Sequence, residues 1–557
     1  MDRNDFDFAL ESELSRRAFL GRGALGVGAL GLVLAGCGST SSGSSTGSSA
    51  AAQTSRALSS GPPTGGTPVK GGTLRLGFIT GGPAESISLL DAGLVGTGDF
   101  TRAYALFDGL VIPTPGGTVG PALATSWETN SDATLWTFHL RHGVVFHNGK
   151  SFGADDVVYT IQHLWNNPKN IYNVALATMI DFAGVRKVDN YTVQVPLKLG
   201  IAQFPSTLCL PQAYIGAAGT TNWGDGNGTG PFTLESFHPG VQSVFGPNKN
   251  YWQEGLPYVA SLVINTSYTT ESDRLNALLA GDIDIVPGVD PGLAAANASN
   301  GTIVIGNQAG PGFVDLNMRS DTGVFADPRV RKAFHLIADQ APYVTDAFNG
   351  YATIGNDCPC NTDQFHASDL VSVHDPEQAK SILKSAGHEN LSITLATSPV
   401  VPGLVPVATL FKQQAQAAGV NVSLRVYPTS TYLTPATGFF KREFDMEFYT
   451  TGCNSLASYY VTSAIKGGIY DMAHWGDASA TYGPNNTLLF DALKETNNSL
   501  AAEKWHVVQS YDHTQGAWII PANTNWVDAY AKHVRGVQTT SVLLCGNFNF
   551  AGAWLGS

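Results

Sequence analysis

Histidines and cysteines are the side chains in this sequence that could hold a metal. Three of the 13 histidines, His139, His142 and His147, lie close together and raise the possibility of nickel. His139 and His142 are three residues apart, so along a strand they face opposite ways. We therefore expect no metal site at these histidines, and no cofactor.

Cysteine spacing is the second chemical signal. Cys358 and Cys360 form a C-x-C pair, but a zinc site needs further Cys or His ligands, which the neighbouring sequence lacks. In an exported protein such cysteines can form disulfides. We expect a bridge to a distant cysteine or a buried free thiol. Which residues pair stays open, and the candidates are Cys209, Cys358, Cys360, Cys453 and Cys545.

Catalytic motifs give no support for an enzyme. The segment 43–47 matches the pattern G-x-S-x-G, but it lies in a low-complexity tract without a strand or helix around it. No His-Glu-x-x-His motif is present. We expect a binding protein rather than an enzyme, and an exported cell-envelope hydrolase is the alternative from a different class.

The N-terminus has the features of an export signal. Arg16 and Arg17 precede a short Gly/Ala/Leu/Val stretch, as in a twin-arginine signal peptide. The stretch ends in Leu-Ala-Gly before Cys37, which resembles a lipobox, where the cysteine sulfur is acylated. We predict a signal peptide at 1–36 and a lipid on Cys37, which places the protein on the outer face of the cytoplasmic membrane.

A tether and a large acidic body follow. Residues 37–69 comprise the lipidated cysteine and a Ser/Gly/Pro-rich segment, in which Arg56 is the one charge between positions 38 and 67. Such a composition predicts a flexible linker. The whole chain of 557 residues is too long for a single core. Its net charge of −13 argues against binding nucleic acid.

Strand and helix patterns alternate along the body. Residues 70–78 alternate apolar and polar positions, and 135–149 carry two such runs broken by a turn at 141–143. Asp327-Pro328 and Asp375-Pro376 are helix starts, with Asp as the N-cap and Pro in the first turn. The pattern predicts an α/β protein.

These segments, in this order, resemble the family 5 extracellular solute-binding proteins. The segments that carry the resemblance are Phe138–Gly149 followed by Ala154–Val157, Gly228–Phe232, Gly281–Asp284 and Asp327–Ala333. Members of this family are peptide- and nickel-binding receptors of ATP-binding-cassette importers. The resemblance runs from about residue 71 to residue 536.

The resemblance implies a periplasmic-binding-protein fold with two lobes, an extra inserted domain and a hinge of crossing strands. On this basis the first lobe comprises 70–105, 225–307 and 521–557. The inserted domain comprises 106–224, and the second lobe comprises 308–520.

The resemblance also indicates binding residues. In peptide-binding members a Gly-Trp pair precedes a carboxylate that holds the ammonium group of the peptide. Here Thr450 and Thr451 stand where that pair would be, and Asn454 stands where the carboxylate would be. We name these residues as ligand contacts together with Cys453, Trp475 and Glu85. Core packing is favoured for Trp475, and Glu85 is an acid that could replace the missing carboxylate.

The implied function is capture of a solute and its delivery to a membrane permease. A peptide or peptide-like ligand is favoured over an oligosaccharide, another polar organic solute or a nickel chelate. The expected partners are the ligand, the permease and ATPase subunits, and the membrane through the lipid. We expect a monomer and no nucleic acid.

Overall fold

The computed structural model describes residues 55–56, 65–90, 97–114, 118–167, 170, 173–209, 213–297, 301–399, 403–428, 432, 446–453, 455–465, 468, 470–475, 487–537 and 549–556. In these ranges no helix combines the length and the apolar character that a bilayer crossing requires. The predicted signal peptide and Cys37 lie outside the described residues.

The described strands are numbered in chain order. They are β1 Thr73–Ile79, β2 Val111–Pro113, β3 Val119–Pro121, β4 Ala124–Thr129, β5 Leu135–Leu140, β6 Arg186–Asp189, β7 Thr192–Pro196, β8 Phe232–His238, β9 Gln242–Pro247, β10 Ser261–Tyr268, β11 Ile285–Val286, β12 Ile303–Met318, β13 Ala352–Ile354, β14 Ser392–Thr397, β15 Asn421–Val426, β16 Met446–Gly452, β17 Trp518–Ala531, β18 Val534–Arg535 and β19 Trp554–Leu555.

The described α-helices are numbered in the same way. They are α1 Thr97–Leu106, α2 Ala154–Thr160, α3 Asn173–Met179, α4 Phe204–Thr207, α5 Glu271–Ala280, α6 Pro291–Asn297, α7 Pro328–Ile337, α8 Pro376–Ser385, α9 Leu404–Ala417, α10 Leu456–Ser463, α11 Thr487–Leu493 and α12 Asn498–Gln515. Short 3-10 helices span Gly82–Ala84, Phe182–Gly184 and Gly323–Ala326, and π-helical turns span Ile161–Trp165 and Tyr343–Ala347.

Two sheets dominate the molecule. The larger is a mixed sheet of eleven strands in the order β15-β14-β16-β12-β17-β11-β1-β10-β9-β8, with β13 also paired to β17. The smaller is antiparallel, in the order β4-β5-β7-β6. Helices alternate with the strands of the larger sheet, in agreement with the α/β prediction.

Several local predictions are confirmed. The side chains of Asp327 and Asp375 accept hydrogen bonds from backbone N–H groups in the first turns of α7 and α8, and a proline follows each aspartate. Gly281 ends α5 with a φ of 83°, a left-handed conformation that glycine adopts without a steric penalty. The first predicted strand, at 70–78, is β1.

The second alternating run after residue 141 is not a regular strand. The backbone N–H of Phe146 donates to the carbonyl of Lys150, and that of Gly149 donates to the carbonyl of Phe146. These bonds fold the segment into a tight turn, which leaves only an isolated bridge between Val145 and Ser151. The alternating pattern indicates which side chains are buried, but it does not determine how many backbone pairs the segment forms with a neighbouring strand.

The two longest strands, β12 and β17, pair antiparallel and connect two hydrophobic cores. At one end of the pair, Ile303 and Val527 pack in a core with α5. At the other end, Val314 and Ile519 pack in a core with α7 and α9. The long strand pair therefore contributes to both of these cores and also, through Phe313 and Tyr530, to a third and larger one.

A break in register lies between these cores. The pairing of β12 with β17 shifts between Ala309 and Gly312. A Cβ atom on Gly310 would lie 2.4 Å from the carbonyl oxygen of Thr524, so only glycine fits this close backbone approach. Such a bulge is a place where a strand pair can bend.

Candidate ligand-binding site

The predicted binding segment begins at the end of β16. Thr450 and Thr451 pair in register with Val314 and Phe313 of β12, and Gly452 pairs with Gly312 at the bulge. The segment therefore leaves the larger sheet next to the bulge in the pairing of β12 with β17. In α/β folds, ligand sites are built where strands end and loops begin.

A disulfide fixes the residue that follows. Cys453 is bonded to Cys360, 93 positions earlier, with the two Cα atoms 5.2 Å apart. This is the bridge to a distant cysteine that the sequence left open. The Cys453 sulfur is thereby engaged and buried, so it is not a free thiol for a ligand.

The other cysteines have different environments. Cys209 and Cys358 are free and buried. Burial raises the pKa of the Cys209 thiol to about 12 and the pKa of Cys358 still higher, so both stay protonated and unreactive. Cys545 lies outside the described residues.

Helix α10 begins directly after the binding segment. Ser455 is its N-cap, with a side chain that accepts a hydrogen bond from the backbone of Ser458. Asn454, the residue predicted to replace the ammonium-binding carboxylate, lies outside the described residues. Its two neighbours are therefore held by a disulfide on one side and by a helix cap on the other.

The N-terminus of α10 has a second, long-range partner in Asp363. The Asp363 carboxylate accepts hydrogen bonds from the backbone of Leu456 at 2.9 Å and of Phe365 at 2.8 Å. Desolvation raises the pKa of this carboxyl group. A carboxylate at a helix N-terminus is favourably placed against the helix dipole, and Asp363 stabilises the start of α10.

Gln203, which directly precedes α4, adds two hydrogen bonds to this contact. Its amide nitrogen donates to Asp363 at 3.0 Å, and its amide oxygen accepts from the backbone of Ala457 at 3.3 Å. Sequence reasoning missed Gln203 and Asp363, because their partners in α10 lie more than 90 positions away and no local pattern marks them.

Glu85, predicted as a possible substitute acid, is buried among partners of its own. It forms a salt bridge of 2.6 Å with Arg102 and accepts from the Thr266 hydroxyl at 2.9 Å. The backbone N–H groups of Gly81 and Gly240 also donate to its two carboxylate oxygens. These contacts satisfy the charge of Glu85 within the protein.

Asp99 and Glu85 contact different nitrogens of the same guanidinium group. Both carboxylates contact Arg102, which is fully buried. Burial raises the pKa of Asp99 to about 6, although Arg102 acts in the opposite direction. Two acids around one buried arginine thus form a structural cluster.

Trp475 lies in the core and is 1% exposed. The Arg331 guanidinium stacks over its ring at 4.9 Å, and Trp518 contacts it edge-on at 6.2 Å. The indole is therefore enclosed by protein. Core packing is the role that the sequence analysis favoured for Trp475 over contact with a ligand.

The three neighbouring histidines occupy different environments. The rings of His142 and Tyr191 stack at 3.8 Å, and His139 is half-exposed beside Glu128. His147 is held in its turn: Nε2 lies 3.1 Å from the Gly230 carbonyl, and the Gly228 N–H donates to Nδ1. Burial lowers the pKa of His147, in keeping with a neutral ring whose two nitrogens are both engaged. Among the described residues no three His, Cys, Asp or Glu side chains cluster as metal ligands would.

Comparison with known proteins places this architecture. The family model for bacterial extracellular solute-binding proteins, family 5 Middle, matches residues 118–497. Di/tripeptide-binding protein 1 of Pseudomonas aeruginosa strain UCBPP-PA14 is 26% identical over 455 residues, which are 74% of this chain and 82% of that protein.

Solved structures show the same fold. The periplasmic binding protein DppA from Helicobacter pylori, in complex with the peptide STSA, matches with a TM-score of 0.72 and 20% identity over 88% of this chain and 99% of its own. AgaA from A. tumefaciens R10, in complex with agropinic acid, matches with a TM-score of 0.71 and 20% identity over 87% and 99%. The chain thus has the two-lobe fold of periplasmic binding proteins. Since the family model covers more than half of its length, the protein belongs to the bacterial extracellular solute-binding proteins of family 5.

Proposed function

We propose that this protein is the substrate-binding lipoprotein of an ATP-binding-cassette importer and not an enzyme. It captures a solute outside the cytoplasm by closure of two lobes and delivers it to the permease and its ATPase. The observation that carries the proposal is the family match together with the β12–β17 pair, whose register breaks at a bulge between residues that pack in two different cores. The lobe boundaries 70–105, 225–307 and 521–557 for the first lobe and 308–520 for the second are part of this proposal.

A peptide or peptide-like solute is the proposed ligand class. Di/tripeptide-binding protein 1 and the DppA structure with a bound peptide support it. The AgaA structure with agropinic acid favours a second candidate, a polar organic solute that is not a peptide. Oligosaccharides and nickel chelates remain further alternatives within the same receptor role.

A thermal-shift screen of the purified protein tests this function. Free tripeptides, N-acetylated tripeptides, oligosaccharides and nickel chloride are compared at equal concentration. A ligand present at 100 times its dissociation constant stabilises the fold by about 2.7 kcal/mol, so a binder gives a clear rise in Tm. A shift with a peptide class supports the proposal. Shifts confined to sugars or nickel would overturn the peptide assignment, and hydrolysis of a probe would favour the enzyme alternative.

The ligand proposal becomes specific at Asn454. An amide in place of a carboxylate offers no negative charge to a peptide ammonium, and loss of one partner of a buried charged pair costs about 2–5 kcal/mol. We therefore expect N-acetyl-trialanine to bind more tightly than trialanine. Asn454→Asp should reverse this preference in calorimetry, whereas Asn421→Asp, on the exposed start of β15, should leave it unchanged. Tight binding of trialanine that residue 454 does not affect would contradict this role.

Anchoring to the membrane is the remaining part of the proposal. Its support is the order of Arg16, Arg17 and Cys37 in the sequence. Cys37→Ser should release the protein from the membrane fraction or block processing, and lysines at positions 16 and 17 should strongly reduce export. An unmodified N-terminus at another position, found by mass spectrometry, would contradict the lipid assignment.

A further inference from the structure

One residue of the segment predicted as a flexible tether makes long-range contacts with the body. The backbone N–H of Arg56 donates to the carbonyl of Gly350 at 2.8 Å. Its side-chain Nε donates to the carbonyl of Asn349 at 2.9 Å. The carbonyl of Arg56 accepts from the side chain of Asn307 at 3.3 Å. Its N–H, its C=O and its side chain are thus all bonded to residues more than 250 positions away.

The side chain of Arg56 adds an aromatic contact. Its guanidinium carbon lies 4.9 Å from the centre of the Tyr351 ring. Such stacking is a recognised attraction between a cation and the face of an aromatic ring. Arg56 is also the one charged residue between positions 38 and 67, so no other residue of the tether could make this contact.

The body presents a suitable acceptor surface. Asn349 and Gly350 have φ values of 52° and 82°, so two successive left-handed residues form the turn whose carbonyls receive Arg56. Asn307 lies on β12, where its side-chain oxygen accepts a bond from Asn525 of β17 at 2.8 Å. The contact surface is thus tied to both of the crossing strands.

The contact surface lies where two hydrophobic cores meet. Phe348 packs in the core with α7 and α9, whereas Tyr351 packs in the core with α5. Arg56 therefore rests on the junction between the two cores. We infer that a docking site formed by Asn307, Asn349, Gly350 and Tyr351 binds the tether through Arg56 and fixes it beside the hinge.

Docking changes how the body is attached to the membrane, a consequence that rests on the proposed lipid at Cys37. The free tether shortens from about 33 residues, counted to Lys70, to about 19, counted to Arg56. For a flexible chain the r.m.s. reach falls from roughly 32 Å to roughly 24 Å. The body is then held from its hinge side rather than from the start of β1.

Trypsin cleavage tests the docking itself, independently of lipidation, ligand or transport. The full chain with Ser48→Arg carries a reference site in the same tether. Mass spectrometry follows the products that begin at Ser49 and at Ala57, and the heat-denatured chain gives the intrinsic ratio of the two rates. In the folded chain, cleavage after Arg56 should be at least tenfold slower than this ratio predicts. Equal protection of the two sites, or of neither, would overturn the proposal.

A matched variant locates the contact without changing the body. Arg56→Lys keeps the charge and the trypsin site but loses the Nε–H bond and the planar stacking group. In this variant, cleavage after position 56 should become several-fold faster, although trypsin prefers arginine to lysine. Tyr351→Leu also alters the core with α5, so it is tested only if its urea unfolding matches that of the wild type; it should then have the same effect, while cleavage at the reference site after position 48 stays unchanged. Undiminished protection in Arg56→Lys would overturn the role of the guanidinium group.

Discussion

Two regions that were predicted to contact ligand are stabilised in different ways. In the Arg102 cluster, formed by Glu85, Asp99 and Arg102, the forces are electrostatic and the arginine is fully buried. At the Cys453 junction, formed by Gln203, Cys360, Asp363, Cys453 and the start of α10, a covalent bond and hydrogen bonds to backbone amides act together.

The difference shows how an acid that stabilises the fold can be distinguished from an acid that is available to a ligand. Glu85 and Asp363 are both surrounded by donors from their own chain, so neither offers a free charge to a ligand ammonium. The Cys453 junction instead positions the backbone on both sides of Asn454. The first region stabilises the fold, and the second holds the residues on either side of position 454.

The largest effect is expected from Arg102→Met. It leaves two buried carboxylates without their cation, and breaking a buried pair in this way costs about 3–5 kcal/mol. Urea unfolding followed by circular dichroism measures the change. Arg329→Met is the matched control, because its pair with Asp327 is exposed and contributes about 0–1 kcal/mol. Equal losses in both variants would contradict the structural role of the cluster.

The disulfide is expected to contribute somewhat less. Cys360→Ser combined with Cys453→Ser opens a loop of 93 residues and should cost about 2–4 kcal/mol. In thermal unfolding, a reducing agent should lower the Tm of the wild type but not that of the double variant. Cys358→Ala retains the bridge and should therefore remain sensitive to reduction. A wild-type Tm that is indifferent to reduction would show that the bridge does not support the junction.

A smaller effect is expected from Asp363→Ala. It removes the acceptor for the backbone of Leu456 and Phe365, and unsatisfied buried groups of this kind cost about 1–3 kcal/mol. Amide hydrogen exchange at Leu456 should accelerate, while exchange at the start of α8, which has its own cap at Asp375, should not change. Unaltered exchange at Leu456 would show that Asp363 does not stabilise the start of α10.

The smallest effect is a pH dependence that arises from Asp99. Its pKa rises from 3.8 to about 6 on folding, so the folded state binds the proton more readily than the unfolded chain. This contribution to stability is present at low pH and is lost as the pH rises through about 6. Between pH 5 and pH 7 it amounts to about 1 kcal/mol. Asp99→Asn should remove that part of the wild-type decline, and the exposed Asp189→Asn should not.

Sequence reasoning succeeded where structure depends on neighbouring residues. The caps at Asp327 and Asp375 and the helix end at Gly281 follow from local hydrogen bonds and from the backbone freedom of glycine. The α/β class follows from the alternation of such elements. The family resemblance supplied the two-lobe fold, which local patterns alone do not specify.

The candidate site was harder to predict because its partners are distant in the chain. Glu85 meets Arg102 and Gly240, and Asp363 meets Leu456, only after the chain has folded. Glu85 was named as an acid that could replace the carboxylate of the family's pattern, but whether an acid can bind a ligand depends on burial and on hydrogen-bond donors that the sequence does not place. Arg56 shows the converse, because a composition typical of a flexible linker contains a residue with specific contacts.

Lobe closure is the central claim, and small-angle X-ray scattering measures it most directly. The radius of gyration of the purified protein is compared without ligand and with a saturating concentration of the compound that gives the largest thermal shift. Because the register of the β12–β17 pair breaks at a bulge between residues that pack in two different cores, the account predicts a smaller radius in the bound state. An unchanged radius, with binding confirmed by calorimetry on the same sample, would contradict it.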